Sequence, residues 1–260
     1  MKYKKQNKYQ LFFYICGFFI LSFITLLYFY TKKYEYFSNN FKIEELKFST
    51  DFDDGNDYII TKFHNFLSNE ECDDIINFSN KKGMEKSKVY SQTNNGTSLI
   101  NLNSRISEQL WLSDNDTDED IEIQKIVNKI HTLNESITKI PKINQENIQV
   151  VKYNKGGFYN EHYDACSYDA EKCKNMNNNS GQRITTLLIY LNDNFEGGET
   201  KFTHEKVKLN VKPEKGMAIL FYNVSSKDND VVHPLSLHTG SELLSGEKWI
   251  CNVWSHKNKF

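Results

Sequence analysis

Hydrophobic and polar positions divide the chain into three regimes. The first is an apolar run from Leu11 to Tyr30, LFFYICGFFILSFITLLYFY, in which 17 of 20 residues are apolar and none is charged. At about 1.5 Å of rise per residue a helix of that length spans about 30 Å, the thickness of a bilayer's hydrocarbon core. Lys2, Lys4, Lys5 and Lys8 precede the run and Lys32 and Lys33 follow it. The positive-inside bias therefore keeps the N-terminus cytosolic and sends the rest across the membrane. A cleaved signal peptide would have a shorter apolar region and a small-residue cleavage site, whereas this run ends in YFYTKKYEYF. The pattern predicts a cytosolic basic segment over 1–10, a transmembrane signal anchor over 11–30 and a polar stem over 31–55.

The second regime has helical spacing. Ser68-Asn-Glu-Glu71 has the spacing of a capping box, and Cys72, Ile75, Ile76 and Phe78 follow on one helical face. After an acidic loop at 113–120, Thr117 to Asp120 resembles a second cap. It opens a helix with Ile123, Ile126, Val127, Ile130, Leu133, Ile137 and Ile140 on one side, stopped by Pro141. In the third regime the period shortens to two. Residues 147–153, 183–191, 199–202, 217–222, 235–238 and 248–254 are short runs rich in β-branched and aromatic residues, separated by Gly or Asn-Asp turns. Helices followed by many short strands predict an α+β domain over 56–260, with helical support over 56–145 and a jelly-roll core over 146–260.

Charge narrows the partners. Residues 1–33 carry six Lys and no acid, which leaves the remainder with 26 basic and 34 acidic side chains. A body of that sign lacks the positive field that a phosphate backbone requires, so nucleic acid is excluded as a partner. With 30 Asn and 30 Lys in the chain, single Asn or Lys residues carry little information, and the two arginines, Arg105 and Arg183, carry more. Four cysteines lie outside the apolar run, enough for two disulfides in an oxidising compartment, and Cys166 and Cys173 are spaced to close a small loop. Six N-x-S/T sequons, at Asn77, Asn95, Asn115, Asn134, Asn178 and Asn223, are candidate glycosylation sites.

The chemistry-bearing residues lie in the β-rich half. His162 and Asp164 stand two apart, so a strand would turn both to one face, and His238 closes a later short strand. Two imidazoles and a carboxylate on a rigid scaffold match the facial triad of non-haem Fe(II) oxygenases, which leaves three positions open. A zinc hydrolase could use the same donors. Lys248 separates the two readings, because a buried cation near Fe(II) would pair with the distal carboxylate of a chelating 2-oxo acid. The bland alternative for Lys248 is a hairpin lysine, and for Trp254 a core aromatic.

The order of motifs resembles the prolyl 4-hydroxylase family of Fe(II)- and 2-oxoglutarate-dependent dioxygenases. The carrying segments are Tyr153-Asn-Lys-Gly-Gly-Phe-Tyr-Asn-Glu-His162-Tyr-Asp164, Gly181-Gln-Arg-Ile-Thr-Thr-Leu-Leu-Ile-Tyr-Leu191, Glu196-Gly-Gly-Glu-Thr200-Lys-Phe202, Lys215-Gly-Met-Ala-Ile-Leu-Phe221, Ser236-Leu-His238-Thr-Gly240 and Gly246-Glu-Lys248-Trp249. The similarity runs in order from Ile60, at the family's opening strand and helix, to His256. It implies a double-stranded β-helix with His162, Asp164 and His238 as iron ligands, and with Lys248, Tyr153 and Thr200 binding 2-oxoglutarate. It places Arg183, Trp254, Tyr159 and Glu146 at a substrate groove, with ascorbate as an accessory cofactor. The implied substrate is peptidyl-proline in a proline-rich chain, whose polyproline II form suits a long groove. The implied site is lumenal, in the endoplasmic reticulum or Golgi.

Three departures from the family pattern bear on substrate choice. Gly96-Thr97-Ser98 stands where Arg-Thr-Ser is expected, Gly240-Ser-Glu-Leu-Leu244 replaces Gly-Cys-Pro-Val, and residues 166–174 form an insert of the chain's own. The competing readings are the same chemistry on a lysyl side chain, a free amino acid or a small molecule, and a non-catalytic membrane-anchored peptide-binding module.

Overall fold

The computed structural model describes residues 41–90, 98–99, 102–113, 120–167, 173 and 180–260. The predicted cytosolic segment and span over 1–30, residues 31–40 of the stem, Gly96 and Thr97, most of the acidic loop, most of the insert at 166–174 and the sequons at Asn95, Asn115 and Asn178 lie outside them. Among the described residues no helix is long and apolar enough to cross a membrane. Residues 43–260 form one compact unit.

In chain order the elements begin with β1 (Lys42–Phe48), β2 (Tyr58–His64), α1 (Asn69–Lys82), β3 (Glu85–Lys86), β4 (Val89–Tyr90), β5 (Ser98–Leu99), β6 (Arg105–Ile106), β7 (Glu108–Leu112) and α2 (Ile121–Thr138). There follow β8 (Ile148–Tyr153), β9 (Phe158–His162), β10 (Arg183–Tyr190), β11 (Glu196–Gly197), β12 (Thr200–Phe202), β13 (Leu209–Val211), β14 (Ala218–Tyr222), β15 (His238–Gly240), β16 (Leu243–Ser245) and β17 (Lys248–His256).

Both helices start where their caps demand. The Ser68 hydroxyl accepts from the Glu71 amide while the Glu71 carboxylate accepts from the Ser68 amide, a complete capping box. Asp120 accepts from the amides of Glu122 and Ile123 to open α2. The helix stops at Lys139, which takes a left-handed φ of 63° just before Pro141.

Thirteen of the described strands form two facing sheets of a jelly roll, while β11 pairs only with β16 and β4 only with β5. The larger has the order β1-β2-β14-β10-β17-β8-β7-β3 and the smaller the order β13-β12-β15-β9-β6. Between them lies a core that includes Tyr58, Ile60, Val151, Leu188, Tyr190, Phe202, Met217, Ile219, Phe221 and Ile250. The central strands of the large sheet are buried on both faces, and all nine residues of β17 are buried. Lys248, Ile250, Asn252 and Trp254 line the inter-sheet space, while Ser255 on the other face receives the Asn134 amide of α2 at 3.0 Å. Helix on one face and cavity on the other is what turns β17 into a wall of the site.

Several expectations are corrected. Residues 43–55, read as the end of the stem, belong to the compact unit and contain most of β1, which pairs at the edge of the large sheet, and a short 3-10 turn. The segment read as helical support contributes β2, β3 and β7 to the large sheet and β6 to the small one. Residues 235–238 are a 3-10 turn over Pro234–Ser236 running into β15, because Pro234 cannot donate to a ladder. Cys166 and Cys173 form a disulfide, but Cys72 and Cys251 are buried free thiols, so two disulfides do not form. Burial pushes the Cys72 thiol up to about 12, which leaves it unreactive. Asn134 and Asn223 are fully buried and cannot carry a glycan in the folded chain.

Candidate active site

A cavity of about 950 Å³ opens between the two sheets. His162 closes β9 and His238 opens β15, and the antiparallel register of these strands sets the two residues opposite each other. Asp164 lies two residues beyond the end of β9, so the turn that follows His162, rather than strand alternation, brings its carboxylate in. One donor atom from each of His162, Asp164 and His238 lies within 4.8 Å of the other two. The His162 Nε2 stands 3.6 Å from Asp164 Oδ1, and the His238 Nε2 stands 3.8 Å from Oδ2.

The donor set fits a divalent iron ion. The Nδ1 of His162 meets the Asn160 carbonyl at 2.7 Å, and the Nδ1 of His238 meets the Ser236 carbonyl at 2.9 Å. A carbonyl only accepts, so each Nδ1 carries the ring proton and each Nε2 turns its lone pair toward Asp164. Burial pushes the His162 ring's pKa down, and the neighbouring His238 adds to this, keeping the imidazole neutral as a ligand must be. Burial alone would raise Asp164, but His238, His162, Arg183 and the Thr186 hydroxyl together hold its carboxyl down to about 2. Tyr159 stacks on His162 at 3.6 Å, while Phe221 and Phe202 pack against His238 at 5.0 and 5.7 Å. Ring orientation is thereby set by packing as well as by hydrogen bonds.

Lys248, the first residue of β17, is 2% exposed and points into the same cavity. Its ammonium donates to the Gly198 carbonyl at 2.6 Å and lies beside the rings of Tyr153 and Tyr190. Among the described residues no carboxylate bonds it directly. Desolvation brings its pKa down to about 8, with Glu199 acting weakly against that. Gly198 has φ +65°, and a Cβ there would lie 2.8 Å from Leu243 and 3.3 Å from the Lys248 stem, so glycine is what lets its carbonyl approach. Tyr153 and Thr200 line the same part of the cavity. The hairpin reading of Lys248 is therefore excluded by its burial.

Arg183 and Trp254 form another stretch of wall. The guanidinium lies 3.8 Å from the Trp254 ring centroid and binds Glu146 through Nε and through Nη2 at 3.0 Å. Glu146 is buried and does not line the cavity; it backs Arg183 and also receives the His256 Nε2 at 2.7 Å. Burial would raise the Glu146 carboxyl, but Arg183 and His256 hold it below its ordinary value.

Two groups were missed from sequence. One is Arg105, whose strand β6 pairs with β9 and lays the guanidinium 4.7 Å over the Tyr159 ring. Arg105-Ile106-Ser107 thus carries the Arg and Ser of the pattern sought at 96–98, with Ile in place of Thr. The other is a file of amides across four adjacent strands. The Asn252 amide donates to Gln149 at 3.2 Å, Gln149 donates to Gln109 at 2.8 Å, and Gln109 donates to the Glu85 carboxylate at 3.2 Å. Glu85 can only accept, which fixes the direction of every amide behind it. All four residues line the cavity. Polar residues at inward positions of strands were the available signal.

Comparison with known proteins agrees with this geometry. The sequence profile of the 2OG-Fe(II) oxygenase superfamily matches residues 148–256. A prolyl 4-hydroxylase homologue from Acanthamoeba polyphaga mimivirus is 36% identical over 197 residues, covering 76% of this chain and 74% of that protein. Prolyl 4-hydroxylase 5 of Arabidopsis thaliana is 33% identical over 215 residues, covering 76% of this chain and 68% of that one. Among solved structures, the viral collagen prolyl hydroxylase of Paramecium Bursaria Chlorella virus-1, in complex with 2-oxoglutarate, superposes with a TM-score of 0.55 at 33% identity, covering 75% of this chain and 94% of that one. The chain belongs to the prolyl 4-hydroxylase family of Fe(II)- and 2-oxoglutarate-dependent oxygenases.

Proposed function

We propose that this protein hydroxylates proline residues in extended peptides, with His162, Asp164 and His238 holding Fe(II). The observation that carries the reading is the shared cavity. Two imidazoles with their Nε2 atoms turned inward and one carboxylate converge in it, and it also holds a buried cation that no carboxylate among the described residues bonds. When bound, Fe(II) and 2-oxoglutarate would supply, together with O₂, the oxidation that replaces a C–H hydrogen with a hydroxyl group, one oxygen atom of O₂ entering that hydroxyl and the other the succinate formed with CO₂ from 2-oxoglutarate. Lys248 holds the far carboxylate of 2-oxoglutarate, with the hydroxyls of Tyr153 and Thr200 beside it. The aromatic rings around both histidines keep water from the reacting atoms.

Arg183 has both Glu146-facing nitrogens occupied, so Nη1 is left to meet a peptide carbonyl, and the Trp254 face offers an apolar surface for a proline ring. The amide file extends this groove. Strands lie about 4.8 Å apart, so alternate rungs repeat at about 9.6 Å. A polyproline II chain advances about 3.1 Å per residue and repeats every third residue, at about 9.3 Å. A peptide crossing the strands would present one carbonyl to Asn252 and the carbonyl three residues along to Gln109.

The test supplies Fe(II), ascorbate as reductant and 2-oxoglutarate with proline-rich peptides, and reads both succinate and oxygen incorporation mapped by mass spectrometry. Wild type is expected to couple the two on proline, and His162→Ala or His238→Ala to lose both by at least about 100-fold. Full turnover in either variant refutes the ligand assignment, and succinate coupled to oxygen on a lysyl or small-molecule substrate refutes the proline reading. The apolar run over 11–30 supports a type II anchor that places the domain on the lumenal side of the endoplasmic reticulum or Golgi, and the Cys166–Cys173 disulfide is in keeping with that compartment.

A further inference from the structure

We propose that Thr186 and Asn223 are positioning residues that reserve Asp164 as a single-oxygen donor; the proposal rests on the metal-site reading above. The Asp164 Oδ2 accepts a hydrogen bond from the Thr186 hydroxyl at 2.7 Å, and that hydroxyl oxygen accepts one from the Asn223 side-chain amide at 2.8 Å. Thr186 is 1% exposed and Asn223 is fully buried.

Chemistry fixes the direction of this relay. An ionised carboxylate only accepts, so the single hydroxyl proton of Thr186 goes to Asp164 and its oxygen is left needing a donor. Turning the Asn223 amide over would set its oxygen against the hydroxyl oxygen with no proton between them. The amide's backbone is pinned as well: Asn223 N–H donates to the Ile184 carbonyl at 2.9 Å, and the Asn223 carbonyl accepts from His233 N–H at 2.9 Å.

Two further observations point to the metal site rather than to stability. Among the described residues the buried Asn223 Oδ1 has no hydrogen-bond partner, and leaving a buried acceptor unpaired costs stability. An apolar residue of similar size would avoid that cost, so Asn223 is poorly explained as a core residue. The second observation is that both Asp164 oxygens face a histidine, Oδ1 at 3.6 Å and Oδ2 at 3.8 Å. Distance does not choose between them. The hydrogen bond does: it takes up one lone pair of Oδ2 and draws charge from that oxygen, leaving Oδ1, beside His162, the better donor.

The consequence follows from counting positions. An octahedral ion has six, and one donor from each protein ligand leaves three, of which a chelating 2-oxo acid needs two and O₂ one. A second oxygen from Asp164 would take one of those three. The hydroxyl of Thr186, held in place by Asn223, thus protects co-substrate binding without itself touching metal or substrate.

The test compares Thr186→Val, Thr186→Ser and Asn223→Leu in the purified full chain. It measures Mn(II) affinity without 2-oxoglutarate, 2-oxoglutarate affinity of the Mn(II)-loaded protein under nitrogen, and melting temperature. Thr186→Val is expected to keep Mn(II) affinity within about threefold while weakening 2-oxoglutarate about tenfold or more. Thr186→Ser restores the wild-type value, and Asn223→Leu weakens 2-oxoglutarate several-fold with an unchanged or raised melting temperature. Unchanged 2-oxoglutarate affinity in Thr186→Val overturns the proposal, and so does equal loss in the Val and Ser variants. A fall in Mn(II) affinity matching the fall for 2-oxoglutarate would mark general support of the ligand and overturn the single-oxygen role. If wild type binds no Mn(II) at all while Thr186→Ser and wild type remain folded, the metal-site reading falls first and this proposal with it.

Discussion

Replacing Lys248 with Met should change stability and co-substrate binding in opposite directions. The side chain is 2% exposed, and its ammonium has one hydrogen bond, to the Gly198 carbonyl at 2.6 Å. Its pKa falls from 10.5 to about 8, chiefly through desolvation. The folded protein therefore binds fewer protons than the unfolded chain between those values, and stability rises with pH across that window. Below pH 8 the full cost of burying the charge is present, about 3 kcal/mol at most from the size of the displacement. Methionine fills nearly the same volume without charge. It leaves the Gly198 carbonyl unpaired, at a cost of about 1–2 kcal/mol, so the net gain is about 1–2 kcal/mol. For a domain of this size that raises the melting temperature by about 2–8 °C.

2-Oxoglutarate, by contrast, loses the partner of its far carboxylate. Truncating one side of a buried charge pair costs about 2–5 kcal/mol, so affinity should fall by about 30-fold or more. Wild type carries a pH signature of the same group. An ammonium titrating near 8 is mostly charged at pH 7 and mostly neutral at pH 9, so 2-oxoglutarate affinity should fall about tenfold between them. Lys248→Met should show no such dependence. Calorimetric melting without co-substrate and titration of 2-oxoglutarate into Mn(II)-loaded protein under nitrogen measure the two effects. A variant that melts lower than wild type and binds 2-oxoglutarate within threefold of it would refute the reasoning on both counts.

Two other perturbations probe the walls of the site. Glu146→Gln removes the charge that holds both Arg183 and His256, so peptide KM should rise about tenfold with kcat little changed, as expected when uniform binding is lost; a kcat loss with unchanged KM would contradict that placement. Reducing the Cys166–Cys173 bond, which closes a loop with a sequence separation of 7 just beyond Asp164, should lower stability by about 2 kcal/mol. Chemical denaturation with and without dithiothreitol reads this directly, and coincident curves would deny the bond a structural part.

Much of the architecture was legible because the period of the apolar residues changes where the elements change. The capping box at Ser68 and the Pro141 stop both act within a few residues, and each marks its helix end in the structure. The runs at 148–153, 183–190 and 248–256 became central strands because β-branched and aromatic residues on both faces suit a strand covered on both sides. The triad residues and Lys248 were legible for a different reason: the order of motifs around them resembles the prolyl 4-hydroxylase family, whereas two histidines and an aspartate by themselves would serve a zinc site as well. The reading of the apolar run at Leu11–Tyr30 as a span rests on its length, its lack of charge and the flanking lysines, and the run lies outside the described residues.

Other features depended on contacts between residues far apart in the chain. Strand β7 and the pair Arg105-Ile106 are too short to declare themselves, and only their partners β8 and β9 make them strands. Glu146 looked like a groove residue, yet the fold sets it behind Arg183, because a buried carboxylate needs both a guanidinium and an imidazole to remain charged. Thr186, Asn223 and the amide file were invisible among abundant polar residues, since what distinguishes them is burial and partner rather than type. Local spacing determines which elements form and which donors are available. The direction in which each buried polar group must give or take a proton is set only when the sheets close and water is no longer there to satisfy it.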